Sequence, residues 1–115
     1  MSTDQRSTES RYDSLVGVFL ARPEVHQEGR GFGSSALKVQ GRIFAMLSSR
    51  SEFVLKMPRQ RVAELIASGD GLPFDAGKGR PMKEWVVIAP TSPLDWTSLA
   101  EEALAFVRAD KGSGN

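Results

Sequence analysis

The sequence predicts a two-layer α+β domain of the order α-β3-α-β2-α, with an antiparallel sheet and its helices on one side. Three observations carry that reading. The stretch Ala36 to Pro58, ALKVQGRIFAMLSSRSEFVLKMP, holds three short apolar runs separated by Gln40-Gly41 and by Ser48-Ser49-Arg50-Ser51. Short apolar runs divided by turn residues read as an antiparallel meander. The segments before and after it repeat their apolar residues at three and four, the spacing of a helix face. Strands that follow one another directly, with helices outside the run, indicate two layers rather than a doubly wound sheet.

Taken in order, residues 1 to 10 are small and polar and are expected to be a frayed lead-in to one domain spanning residues 11 to 110. From Arg11, the spacing of Tyr12, Leu15, Val16, Phe19 and Leu20 predicts a helix that stops before Pro23, because the residue preceding a proline avoids the helical region. Gly17 weakens that helix by roughly 1 kcal/mol relative to alanine, and is read as a place where another element approaches closely. Glu24 to Ser35 is turn-rich, with Val25 to Glu28 as a candidate short edge strand.

In the meander, Leu37 and Val39 share one face while Lys38 and Gln40 take the other, since strand side chains alternate. The run Ile43-Phe44-Ala45-Met46-Leu47 has no polar alternate and predicts a strand covered on both faces, or one whose second face is closed by a partner or a long loop. Phe53, Leu55 and Met57 form the inner positions of the third strand, which Pro58 ends. Pro58 also opens an amphipathic helix through Ser68, with Val62, Leu65 and Ile66 on one face and Gly69 at its stop. Leu72 to Asp75 reads as a short strand inside the long connection Gly69 to Glu84, and Trp85 to Ala89 as a strongly apolar one. In the last helix, Ser92 is the expected cap and Pro93 the first helical residue, with Asp95 near the positive end of the dipole. Trp96, Leu99, Ala103, Phe106 and Val107 form its inner face. Residues 111 to 115 are expected to be a disordered tail.

Composition narrows the function classes. The chain has 115 residues and no cysteine, which excludes disulfides, thiolate metal sites and cysteine nucleophiles. Its apolar runs are far shorter than the roughly 20 residues that span a bilayer, and its start lacks the apolar core of a signal peptide, so a cytoplasmic location is expected. Charge is uneven: residues 11 to 90 carry twelve Lys and Arg against eight Asp and Glu, whereas residues 91 to 115 carry two against four. A mildly basic body leans towards an anionic partner.

Two glycine-rich segments invite a phosphate reading and depart from it. Gly29-Arg30-Gly31-Phe32-Gly33-Ser34 has a mis-spaced third glycine and precedes a strand instead of a helix. Gly71 to Gly77 encloses five residues instead of four, and Gly79 stands where a metal-binding hydroxyl belongs. His26, the single histidine, lies between Glu24 and Glu28, all three on one side of a strand; without a second histidine an exposed edge residue is expected rather than a metal or pH-sensitive site. No nucleophile and base are paired locally, so no catalytic residue, cofactor site or metal site is assigned. What remains is basic. Lys38 and Arg42 flank the first turn of the meander, and Lys78, Arg80 and Lys83 crowd the long loop beside Trp85. Brought together, these would make a cationic surface suited to phosphates.

The run Gly41-Arg42-Ile43-Phe44-Ala45, then Leu55-Lys56-Met57-Pro58, then Trp85-Val86-Val87, resembles the MmcQ/YjbR family. The segment Arg30-Gly31-Phe32-Gly33 is similar to the N-terminal domain of TfoX/Sxy competence regulators. The resemblance covers most of residues 11 to 108. It implies an α+β fold like that of secretion chaperones, no established enzyme activity, and DNA binding through a paired-wing surface. Arg42 stands where the family usually has lysine, and Ala105-Phe106 where the YjbR branch has Ser-Tyr.

The expectation from the sequence is thus a non-enzymatic regulator that contacts DNA phosphates through Lys38, Arg42, Lys78, Arg80 and Lys83, without sequence readout. The alternative is a protein-interaction module, a homodimer or adaptor joined through an apolar sheet face at Phe44 and Met46.

Overall fold

The computed structural model describes residues 4–27, 36–48, 50–75 and 83–109. Within them the chain runs α1 (Asp4–Leu20), β1 (Val25–Gln27), β2 (Leu37–Val39), β3 (Arg42–Leu47), β4 (Phe53–Lys56), α2 (Arg59–Ala67), β5 (Gly71–Pro73), β6 (Trp85–Ile88) and α3 (Trp96–Ala109). The α+β class follows directly: six antiparallel strands in the order β1-β2-β3-β4-β6-β5, with three helices. The expected meander is the β2-β3-β4 core of this sheet. It gains a fourth strand in β1, whose Val25, His26 and Gln27 pair with Val39, Lys38 and Leu37, so the first strand group has four members rather than three.

One face of the sheet carries the core. Leu37, Phe44, Ala45, Phe53, Leu55, Val86 and Ile88 form a single cluster with Tyr12, Leu15 and Phe19 of α1, Val62 and Leu65 of α2, and Trp96, Leu99, Ala103, Leu104 and Val107 of α3. Burial of these apolar surfaces is the main stabilising contribution. The Phe19 and Phe44 rings lie 5.8 Å apart, and Phe53 stacks on Trp96 at 4.1 Å.

The uniformly apolar run in β3 has a specific cause. Leu37 pairs with Ala45, but its neighbour Lys38 pairs with Ile43, so the register shifts and Phe44 is an extra residue. A bulge breaks strict alternation, which lets both Phe44 and Ala45 reach the helix-side core at 0 % exposure. Phe44 therefore belongs to the core and contributes nothing to an exposed apolar sheet face. Ile43 and Met46 take the other face with Lys38 and Val54, their cross-strand partners. Val54 and Val87 on that second face are also buried.

Other local expectations are corrected or sharpened. The first helix begins at Asp4, not Arg11, and Gly17 is exposed with open space where a Cβ would stand. Among the described residues no element approaches there. The β2-β3 turn uses Gln40 and Gly41 at φ 56° and 79°, the left-handed pair that suits the twist of a two-residue hairpin. At the end of α2, the amide of Gly69 (φ 86°) donates to Ile66 and that of Asp70 to Leu65, which is a complete Schellman motif.

The cap of α3 is Asp95 rather than Ser92. The Asp95 carboxylate accepts from the Ser98 amide and hydroxyl, both at 2.9 Å, and the helix starts after Pro93 rather than on it. Ser92 is held elsewhere: its hydroxyl donates to Asp70 at 2.8 Å and accepts from the Leu94 amide. Asp70 also accepts from the Ser68 hydroxyl at 2.7 Å. The hydrogen bonds from Ser68 and then Ser92 hold its carboxyl below the ordinary range.

Candidate functional site

Antiparallel pairing decides which charges meet. β3 starts where β4 ends, and β6 starts beside the end of β4, because Lys56 pairs with Trp85. One end of the sheet therefore collects Arg42 at the start of β3, Lys56 at the end of β4, Arg59 at the start of α2 and Lys83 just before β6. Lys38 lies on the second face near the same end, opposite Ile43 and His26. Of the five cations expected to form a binding surface, the structure brings Lys38, Arg42 and Lys83 to this end; Lys78 and Arg80 fall outside the described residues, as does Glu28 beside His26. Lys56 and Arg59 were missed. Lys56 reads in the sequence as a wet strand position and Arg59 as a polar helix residue, and only the pairing order reveals their shared location.

The cations at this end differ in how far they are neutralised. The Lys56 ammonium is 3.5 Å from the Glu84 carboxylate and 5.2 Å from the centre of the Trp85 ring. Its strand is also tied to the next by the Met57 amide donating to the Glu84 carbonyl at 3.0 Å. Among the described residues, neither Arg59 nor Lys83 has a carboxylate partner. Arg59 opens α2, whose cap position is Pro58, with no side-chain cap and no acidic residue in the first turn. The free first-turn amides and the helix dipole add to the positive potential there.

Elsewhere the basic residues are matched. Arg61 binds both oxygens of Glu102, at 2.8 and 3.2 Å, and also Glu64; the Glu102 bond in particular raises its already high pKa. Arg22 pairs with Glu101, and Arg108 with Glu24 at 2.8 Å. The acidic surplus towards the C-terminus thus lies largely against the basic body. Such exposed pairs each contribute little to stability, but they remove Arg22, Arg61 and Arg108 from any external anion site.

Cavities among the described residues include two that flank the sheet. One, of about 350 Å³, lies where α2 meets the β5-β6 edge and is lined by Val62, Ala63, Ile66, Pro73 and Trp85, with Arg59 and Lys83 beside them. The other, of about 330 Å³, is bounded by Thr8, Arg50, Phe53, Pro90 and Trp96 among others. There the Trp96 indole is stacked on Phe53 and covered by the Arg11 guanidinium 3.8 Å from the ring centre. Its N–H is buried without a hydrogen-bond partner among the described residues.

The hydroxyl–carboxylate contacts shape turns. The Ser48 hydroxyl donates to Glu52 and accepts from the Arg50 and Glu52 amides. His26 is exposed on β1, and Glu24 is engaged by Arg108. Among the described residues no group of three or more histidine or acidic side chains is placed to hold a metal ion, and no helix is long and apolar enough to cross a membrane. No protein-family model, curated protein or solved structure matches the chain. The likeness to MmcQ/YjbR proteins accordingly rests on the sequence motifs alone.

Proposed function

We propose that this chain is a small non-enzymatic regulator that binds nucleic acid through its phosphates, as its MmcQ/YjbR-like motifs suggest, using the basic end of the sheet. The observation that carries the reading is the convergence there of Lys38, Arg42, Lys56, Arg59 and Lys83, with Arg59 and Lys83 lacking carboxylate partners among the described residues. Phosphate contact needs mobile or forked cations and no base-edge reader. Sequence readout is not part of the proposal. α2 presents Arg61 already bound to Glu102, and α3 carries Glu101 and Glu102, so neither suits a recognition helix in the major groove.

The test is binding of a fluorescent mixed-sequence duplex as a function of salt. About three phosphate contacts give a slope of log K against log salt near −2.7, which is roughly a 40-fold loss of affinity between 50 and 200 mM. The double variant Arg59→Ala/Lys83→Ala is expected to flatten that slope by about 2. Absence of binding at low salt, or a slope unmoved by the double variant, overturns the proposal.

A further inference from the structure

We infer that the cavity between α2 and the β5-β6 edge is a binding site for a small amphipathic carboxylate, a ring or branched apolar body bearing one anionic group. The inference goes beyond nucleic-acid binding, although the cavity shares Arg59 and Lys83 with the proposed phosphate surface. Its first support is the lining. Val62, Ala63, Ile66, Pro73 and Trp85 present apolar surface around about 350 Å³, a volume in the range of small-molecule sites. Ile66 is 36 % exposed there, so the surface is wet when nothing occupies it and gains from being covered.

The second support is charge. Arg59 and Lys83 line the same cavity, and among the described residues neither meets a carboxylate, whereas Arg22, Arg61 and Arg108 each do. The neighbouring acid, Glu84, is 3.5 Å from Lys56. An apolar cavity flanked by two unmatched cations complements a ligand with an apolar body and a negative head. A guanidinium takes a carboxylate in a bidentate fork, and an ammonium adds a third donor.

The lining also separates the chemical classes. A nucleobase or a peptide backbone would bring several polar edges, donors among them, against a lining whose Val62, Ala63, Ile66 and Pro73 side chains make no hydrogen bonds and whose Trp85, Arg59 and Lys83 only donate, and burying such groups unpaired is unfavourable. A carboxylate on a hydrocarbon ring places its only polar group at the cations. Trp85, with Phe74 at a ring-centre separation of 6.4 Å, supplies the aromatic wall.

The experiment uses the full chain and 8-anilinonaphthalene-1-sulfonate, an aromatic anion whose fluorescence rises on leaving water. Expected are saturable one-to-one binding, displacement by 1-naphthylacetate, and at least tenfold weaker displacement by the uncharged 1-naphthylacetamide. Arg59→Ala/Lys83→Ala is expected to weaken the probe at least tenfold. Ala63→Phe, at an exposed helix position, fills the cavity without removing a cation. It should abolish probe binding while leaving far-ultraviolet circular dichroism and the duplex affinity unchanged, which distinguishes this site from the phosphate surface. Equal displacement by acid and amide overturns the inference, as does probe binding that survives Ala63→Phe. Displacement by a single-stranded oligothymidylate but not by 1-naphthylacetate overturns it in favour of a base-binding pocket.

Discussion

At Gly71 the sheet packs closely under α2, and replacing it by alanine tests that packing. A methyl group at residue 71 would lie 2.7 Å from Val86 Cγ2, 3.0 Å from Leu65 Cβ and 3.4 Å from the Leu65 carbonyl carbon. Val86 and Leu65 are 0 % and 1 % exposed. The first is β-branched with little rotamer freedom, and the second contact is to an atom fixed to the helix backbone, so neither neighbour yields cheaply. Overpacking of this kind costs about 1–3 kcal/mol. Alanine regains about 0.4–1 kcal/mol by restricting the unfolded chain, leaving a net loss of about 1–2 kcal/mol. With an unfolding entropy of about 2.1 cal/mol/K per residue, a chain of 115 residues should lose roughly 4–8 °C in Tm.

Thermal unfolding followed by circular dichroism or calorimetry reads this directly. A cycle with Val86→Ala, which removes the atom at 2.7 Å, sharpens it: the Gly71→Ala penalty should shrink in that background, because contacting sites are not additive. A Gly71→Ala protein that melts at or above the wild-type temperature would refute the close packing of α2 on β5. The same displacement should disturb the cavity beside Arg59, since α2 forms one of its walls.

Two further outcomes follow from α1. Gly17→Ala, at an exposed position with nothing near the added methyl, should stabilise the protein by about 0.5–1 kcal/mol through helix propensity; a lower urea midpoint would show that the glycine is needed after all. Tyr12 is buried and its hydroxyl donates weakly to the Ala45 carbonyl at 3.4 Å. Burial, with a smaller contribution from Asp13, pushes its pKa well above the usual tyrosine value. The neutral phenol is the form the folded state favours, so its contribution is complete below about pH 10 and lost as pH rises beyond that. Wild type should therefore lose stability relative to Tyr12→Phe above about pH 10 in urea titrations at a series of pH values. A stability difference that stays flat across that range would show the hydroxyl to be hydrated.

Much of the architecture is written in local sequence. Gln40-Gly41 specifies a hairpin because two consecutive left-handed residues are needed there, and Gly69 ends α2 because only a positive φ completes its carbonyl bonds. The inner faces of α1 and α3 follow from apolar spacing, since a helix repeats every 3.6 residues whatever it packs against. Short-range chemistry fixes these elements before any partner arrives.

The tertiary structure decided the remainder. Whether Phe44 points to the core or away from it depends on a register shift against Lys38, a relation between two strands that neither strand encodes alone. Asp95 caps α3 because Ser92 is drawn to Asp70, 22 positions away in the chain. The body's basic surplus is partly cancelled by Glu101 and Glu102 reaching Arg22 and Arg61. The candidate site has the same origin. Arg42, Lys56, Arg59 and Lys83 are scattered along the sequence and become neighbours of one sheet end only because β4 pairs antiparallel with both β3 and β6. The alternation and helical periods of a sequence are local geometry, but charge balance and cavities depend on long-range pairing, which hydrogen bonds and burial settle only when the whole core closes.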